Sequence, residues 1–271
     1  MEDSINKQKD ISIEKEIIEL IESSIKKGNA DIISFATNLI TNLSRIIAKD
    51  NLKNIIKKRI SNKNIYFLRH AEAQHNVLER MYKGDFSKCN VYDPELTQNG
   101  INQTKLTIEK YKKEIFTFDI VFVSPLKRTI QTFFLLQNYL KKDTQIFVTD
   151  FVREVISYCD KNKGQQLSVL KKELKQYNFN LDYMTKEYWW FNLGKNKNNE
   201  LEGELEFSIR LRILILWIIF RPEKNILIIS HSHVHCNLQD RGIINAGMAK
   251  MDTNILFEKL IELIEINVDD K

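Results

Sequence analysis

The sequence predicts an α/β protein: a three-layer α/β/α sandwich with a mostly parallel central sheet, plus an N-terminal helical extension. Three observations carry this. Short apolar runs at Asn64–Leu68, Phe118–Val123, Gln145–Thr149 and Asn225–Ile229 have the length of strands. Stretches of helical period separate them, which indicates parallel strands covered on both faces. Residues 1–62, by contrast, show no strand signal and almost no Gly or Pro.

In the extension, Ile13, Ile17, Ile18 and Ile21 recur at helical spacing, and Gly28-Asn29 suits a break. Asp31 is a candidate cap for a second helix that places Ile32, Phe35, Leu39, Leu43 and Ile47 on its apolar side. A third short helix is expected around Asn51–Ile60. The extension, 1–62, either lies on the main domain, 63–271, or joins two copies into a homodimer.

In the main domain the strand Asn64–Leu68 comes first, and Met81–Asp93 reads as a loop. Thr97 caps a helix running to about Tyr111. The strand Phe118–Val123 is followed by a helix over Lys127–Leu140, and the strand Gln145–Thr149 feeds Phe151-Val152-Arg153-Glu154. Residues 165–203 read as irregular with helical patches. The apolar helix Glu204–Phe220 precedes a last buried strand, Asn225–Ile229.

With 271 residues, 43% of them hydrophobic, the chain can bury one sizeable core. Its 41 basic residues nearly balance 36 acidic ones, for a formal charge of +5, and no long Lys/Arg block stands out. Charge therefore implies no nucleic-acid or membrane partner, and an anionic small substrate fits. The cysteines, Cys89, Cys159 and Cys236, show no paired spacing, which suits a reducing compartment. Met1–Asp10 lacks an apolar signal core, and Ile213–Phe220 is too short to cross a bilayer. A cytoplasmic location is the expectation.

Four strand ends carry reactive side chains: Arg69-His70, Arg128, Arg153-Glu154 and His231. A parallel sheet brings such ends to one edge, where open α/β sheets bind ligands. Arg offers a fork of donors to a phosphate or carboxylate, and His a nucleophile or acid/base near neutral pH. Arg128 sits in the first turn of its helix, after Pro125, where free amides also suit an anion.

These elements resemble the histidine phosphatase superfamily, in its cofactor-dependent phosphoglycerate mutase-like branch. Arg153-Glu154 with Cys159-Asp160-Lys161 downstream, and Trp189-Trp190 later, look closest to the eukaryotic phosphoglycerate mutase-like phosphatases of that branch. The Arg-His-Gly/Ala-Glu box reads Arg69-His70-Ala71-Glu72, with Asn76 six positions after His70. Leu96-Thr97, Gly100 and Gln103 match a second element; Ser124-Pro125, Arg128 and Gln131-Thr132 match a third. Glu154 stands for the acid and Ser230-His231 for the second histidine.

The resemblance implies a phosphohistidine at His70. Arg69, Arg128, His231 and Asn76 would then hold the phosphoryl group. Glu154 would protonate the leaving alkoxide and afterwards activate water. Such an acid needs its pKa raised, by burial or by the bound dianion. Arg153 and His233 are further candidates for substrate contact. No metal or other cofactor is implied, and the substrate is a small phosphorylated compound.

The alternative is a phosphoglycerate mutase primed by 2,3-bisphosphoglycerate. The mutases' paired arginines and Pro-rich insertion are missing between Glu154 and Arg221, and His75 replaces their Trp. A non-catalytic phospho-ligand binding module is the contrasting reading. Two features fall outside the pattern. His233 stands where the family usually has Gly, and His231, His233 and His235 form a run that on a strand could face zinc. The aromatic residues Tyr183, Tyr188, Trp189, Trp190 and Phe191 suit a lid or a folded core equally.

Overall fold

The computed structural model describes residues 2–27, 32–83, 85, 88–89, 91–156, 160–190 and 202–265. The expected break at Gly28-Asn29, the cap at Asp31, and Cys159 and Phe191 lie outside these residues. Three helices open the chain: α1 (Glu2–Lys27), α2 (Ile32–Ile46) and α3 (Lys49–Ser61). A six-stranded sheet follows, built from β1 (Asn64–Arg69), β2 (Ile120–Val123), β3 (Gln145–Val148), β4 (Phe179–Asn180), β5 (Asn225–Ser230) and β6 (Met248–Lys250). Its order is β4-β3-β2-β5-β1-β6, parallel except for β6, which pairs antiparallel with β1.

Strand side chains alternate between two cores. Phe67, Phe122, Ile226 and Ile228 enter one, while Leu68, Val121, Leu227 and Ile229 enter the other. The second core is closed by α5 (Gln98–Ile115), α6 (Lys127–Leu136) and α7 (Leu167–Leu174). The first is closed by α8 (Glu204–Phe220), α9 (Ser232–Gln239) and α10 (Thr253–Ile264). This is the expected three-layer sandwich.

The extension does more than cover a patch. From Ile213 to Phe220 every residue of α8 is buried, because the sheet lies on one side and α1, α2 and α3 lie on the other. A helix that is apolar all round needs cover all round. Ile17, Ile21, Leu43, Leu52 and Ile56, each fully buried, supply it. Packing therefore runs continuously across the sequence boundary at residue 62.

Four elements differ from expectation. β5 is not the last strand: β6 follows it, but at three residues it is too short to show a period. β4, with two residues, was equally invisible. α6 stops at Leu136 and a 3-10 turn takes over to Tyr139. Within the stretch read as irregular, α7 is a regular helix that buries Leu167, Leu170 and Leu174. Among the described residues no helix is long and apolar enough to cross a membrane.

Candidate active site

β1 ends at Arg69, so His70 leaves the sheet between the ends of β5 and the chain before β6. Its amide donates to the Ser230 carbonyl at 2.9 Å, and its carbonyl accepts from the Ala246 amide at 3.2 Å and Asn245 Nδ2 at 3.3 Å. The loop beyond it is clamped by the motif residues. Thr132 Oγ1 accepts from the Ala71 amide at 3.1 Å, and Gln103 Oε1 from the Glu72 amide at 3.0 Å. Thr97 Oγ1 donates to Glu72 Oε1 at 2.7 Å and also caps α5 by accepting from the Gly100 amide at 3.0 Å. A Cβ on Gly100 would stand 2.1 Å from the Glu72 carbonyl oxygen, so only glycine fits this approach. Gln131 accepts from the Leu96 amide at 2.8 Å, tying α6 to the same loop.

His70 is buried and faces His231 across 5.1 Å between ring centroids, with His75 at 5.6 Å on another side. Its Nδ1 lies 2.8 Å from the Ala71 carbonyl and must donate to it, which leaves Nε2 as the unprotonated nitrogen. Burial, reinforced by Arg128, His75 and Arg69, holds the imidazole well below its ordinary pKa. It is neutral at working pH. His231 is held low for the same reasons; Arg128 donates to its Nδ1 at 3.3 Å, so its Nε2–H donates to Ser124 Oγ at 2.8 Å.

Arg69 and Arg128 make no ion pair among the described residues, although Arg128 is only 1% exposed. Arg128 reaches the Lys161 carbonyl at 2.7 Å and Asn162 Oδ1 at 2.9 Å; Arg69 reaches the Ile243 carbonyl at 2.9 Å. Each keeps a buried Nε–H with no partner. Burial lowers both pKa values, that of Arg128 to about 10, and both stay charged at neutral pH. Two guanidinium groups, Arg128 buried and Arg69 partly so, that have carboxylates nearby but no ion pair with one leave positive charge for an anion to neutralise.

Asn76 lies within the first turn of α4 (Gln74–Met81). Its Oδ1 accepts from the Ala73 amide and from Asn245 Nδ2, both at 3.1 Å. Its Nδ2 therefore faces His75, 3.0 Å from Nε2. That contact makes His75 Nε2 an acceptor and places the proton on Nδ1, which is buried and has no partner. Burial and the nearby Arg128, Lys161 and Arg69 drive the His75 pKa down to about 2, so it remains a neutral donor.

Glu154 follows a 3-10 turn, Asp150–Val152, that continues from β3. Arg210 pins this turn through the carbonyls of Asp150 (3.2 Å), Phe151 (2.7 Å) and Arg153 (3.2 Å). Glu202 holds Arg210 at 2.8 and 2.9 Å and Arg153 at 2.6 Å. The Glu154 carboxylate accepts from the Val155 amide at 3.0 Å and meets His233 Nδ1 at 3.1 Å. Burial pushes its pKa up, but His233, the Val155 amide and Arg128 outweigh burial and hold it below the ordinary carboxylate range.

Of the sequence candidates, Arg69, His70, Asn76, Arg128, Glu154, His231 and His233 gather at this one sheet edge. Arg153 does not offer its guanidinium to the site: it is buried against Glu202 and the Trp189 carbonyl. His233, a candidate for substrate contact, touches the acid. The carboxamide of Asn76, a candidate donor to the phosphoryl group, is oriented by Ala73 and Asn245 at its oxygen and gives one of its two N–H groups to His75. The His231–His235 run lies on a helix rather than a strand, and its imidazoles have separate partners: Ser124, Glu154 and the Arg241 carbonyl.

Tyr183, Trp189 and Trp190 are core residues; Trp189 closes on Gly164, and Tyr183 stacks near Trp217 at 4.5 Å. Sequence reasoning missed a part in the site for His75, which reads as a packing or surface residue, and for Asn245, whose segment carries no motif. A polar residue one place before a site asparagine was the only signal for His75.

The sequence profile of the histidine phosphatase superfamily (branch 1) matches residues 65–254. A 2,3-bisphosphoglycerate-dependent phosphoglycerate mutase of Buchnera aphidicola subsp. Cinara cedri is 31% identical over 114 residues, covering 42% of this chain and 44% of the mutase. Phosphomutase-like protein 3 of Candida albicans is 25% identical over 154 residues, covering 50% and 47%. The matches thus span about half the length of those relatives. Among solved structures, the ecdysone phosphate phosphatase of Bombix mori aligns with a TM-score of 0.44 and 14% identity, over 77% of this chain and 80% of that one. The phosphoserine phosphatase of Entamoeba histolytica aligns with a TM-score of 0.41 and 17% identity, over 72% and 99%. With the profile running from β1 through β6, over well more than half of the chain, the protein belongs to the histidine phosphatase superfamily, branch 1.

Proposed function

We propose that the protein hydrolyses small phosphate monoesters through a phosphohistidine formed at His70. One observation carries the reading: three buried N–H donors without partners, Arg69 Nε, Arg128 Nε and His75 Nδ1, belong to residues grouped around a neutral imidazole. Buried donors are almost always satisfied, so a set of three marks a site that a ligand with several acceptor oxygens completes. A phosphoryl group has that form, and two guanidinium charges match its dianion.

In this mechanism Nε2 of His70 attacks phosphorus while Nδ1 stays bonded to the Ala71 carbonyl. Charge spreading over the equatorial oxygens is met by Arg69, Arg128 and His75, and by His231 if its Nε2–H turns from Ser124. Glu154 serves the leaving oxygen and then the attacking water. Because His233, the Val155 amide and Arg128 outweigh the upward push of burial on the Glu154 pKa, the bound dianion or a neighbour has to keep a proton there. The positive charge comes from side chains, so turnover is expected without added metal.

The test is phosphate release from a panel of phosphomonoesters in chelator, with a coupled phosphoglycerate mutase assay run beside it, with and without 2,3-bisphosphoglycerate. Release that survives chelator, with an acid-labile phosphoenzyme lost in His70→Ala, supports the proposal. Strong bisphosphoglycerate-stimulated mutase flux with little hydrolysis overturns it in favour of a mutase. Folded protein with neither activity points to a phospho-ligand binding module.

A further inference from the structure

We infer that Glu154 and His233 hold the catalytic proton jointly, with His233 as its store and the carboxylate as its route to the leaving oxygen. The inference rests on the phosphohydrolase reading above and adds a residue that the family pattern does not supply.

The geometry is specific. His233 sits in the first turn of α9, two residues after the buried His231, and this places Nδ1 3.1 Å from Glu154 Oε2. The other carboxylate oxygen is taken by the Val155 amide at 3.0 Å. Glu154 is buried, while the His233 side chain is 71% exposed, so the imidazole stands between the acid and solvent. The charged groups facing the pair are cations: Arg69 at the end of β1, Arg128 in α6, and Lys161, itself bridged to Glu79 of α4. They disfavour protonation of either partner. Even so, the hydrogen bond to Glu154 and its charge raise the His233 pKa above its ordinary value, while the carboxyl is held low. A proton bound to this pair therefore resides on the ring.

This resolves a difficulty in the chemistry. An acid catalyst must carry a proton at working pH, and Glu154 alone would not. With His233 present, the P–O bond to the leaving group breaks as Nε2 of His70 bonds phosphorus. The leaving oxygen takes a proton from the Glu154 carboxyl, and Nδ1–H of His233 passes to Oε2. In the second half, water attacks the phosphohistidine and gives one proton to Glu154, from which it returns to His233. Phosphate and alcohol leave, and the pair ends as it began, with one proton. A surface ion pair with so exposed a histidine would contribute little to stability, so a purely structural role predicts no change in pH dependence.

Two measurements test the inference. The first follows the His233 imidazole by NMR against pH in the wild type and in Glu154→Gln. Loss of the carboxylate is expected to lower its pKa, because the hydrogen bond and charge of Glu154 are what raise it, and an unchanged value overturns the pairing whether or not the protein hydrolyses anything. The second compares pH profiles of His233→Gln and wild type on an alkyl phosphate and on nitrophenyl phosphate. The alkaline limb for the alkyl ester should move to lower pH, giving a loss of about tenfold near pH 7.5, with the nitrophenyl ester barely affected. Superimposable profiles, in a variant that still forms the His70 phosphoenzyme, overturn the proton store. Absence of that phosphoenzyme in the wild type sinks the phosphohydrolase reading instead, and the NMR result still decides the pairing.

Discussion

Asn76 Nδ2 donates to His75 Nε2 across 3.0 Å, and this one contact decides which nitrogen of the imidazole carries its proton. The carboxamide has no freedom to do otherwise, since its oxygen is claimed by the Ala73 amide and Asn245. One N–H of Asn76 thereby fixes the tautomer of the neighbouring ring. His75 Nδ1–H is left buried and unpartnered, in a ring 5.6 Å from that of His70.

His75→Phe, which keeps a ring but removes the donor, should weaken binding of phosphate or vanadate by about tenfold, the worth of roughly one hydrogen bond to a charged group. Calorimetric titration reads this directly. Equal affinity in variant and wild type would make His75 a packing residue.

Arg128→Lys should lower kcat/KM by about two to three orders of magnitude, because an ammonium cannot reproduce the planar fork. Lys161, Asn162 and His231 would also lose their shared partner. Steady-state kinetics alongside circular dichroism separates lost chemistry from lost fold.

Glu154→Gln should slow hydrolysis of alkyl esters by about a hundredfold or more while affecting nitrophenyl phosphate far less, since that leaving group needs no proton. Comparable losses on both substrates would remove Glu154 from the acid role.

Stability should fall with acid. His70, His75 and His231 are buried and neutral, with pKa values below the ordinary 6.5. The unfolded chain binds protons there that the folded one refuses, so stability is full above the unfolded pKa and is lost as pH drops below it. Three such groups would remove about 4 kcal/mol between roughly pH 7.5 and 5.5. The exposed His233, whose pKa is raised, acts in the opposite sense and offsets part of this. Urea midpoints across that range check the slope; a flat profile would mean that the imidazoles are already charged in the fold.

The N-terminal helices should prove integral to the fold. Ile21 is fully buried in the core shared with α8, and Ile21→Ala should cost about 2–4 kcal/mol. Removing residues 1–60 would uncover an apolar face of α8, so aggregation or loss of cooperative unfolding is expected. A truncated chain that unfolds cooperatively at the native midpoint would show the extension to be dispensable.

Much of this protein could be read in one dimension. Runs such as Ile226-Leu227-Ile228-Ile229 are long enough to declare buried strands, and the helices between them require parallel pairing. Parallel pairing in turn gathers the strand ends, so Arg69, His70, Arg128, Glu154 and His231 could be assembled without coordinates. The strands β4 and β6 escaped, because two or three residues carry no period and exist only where β3 and β1 offer open edges.

The finer assignments belonged to tertiary structure alone. Arg153 and Arg128 both stand at strand ends in the sequence, yet Arg153 is neutralised by Glu202, 49 residues along, and Arg128 keeps a free N–H. His233 and Glu154 are 79 residues apart and share a hydrogen bond. Residue order determined which strand ends meet, because periodicity and strand direction are local properties. Which donors stay unsatisfied and which acid keeps its charge depended on the partners that folding brings close, since solvation and hydrogen bonding are set by neighbours in space.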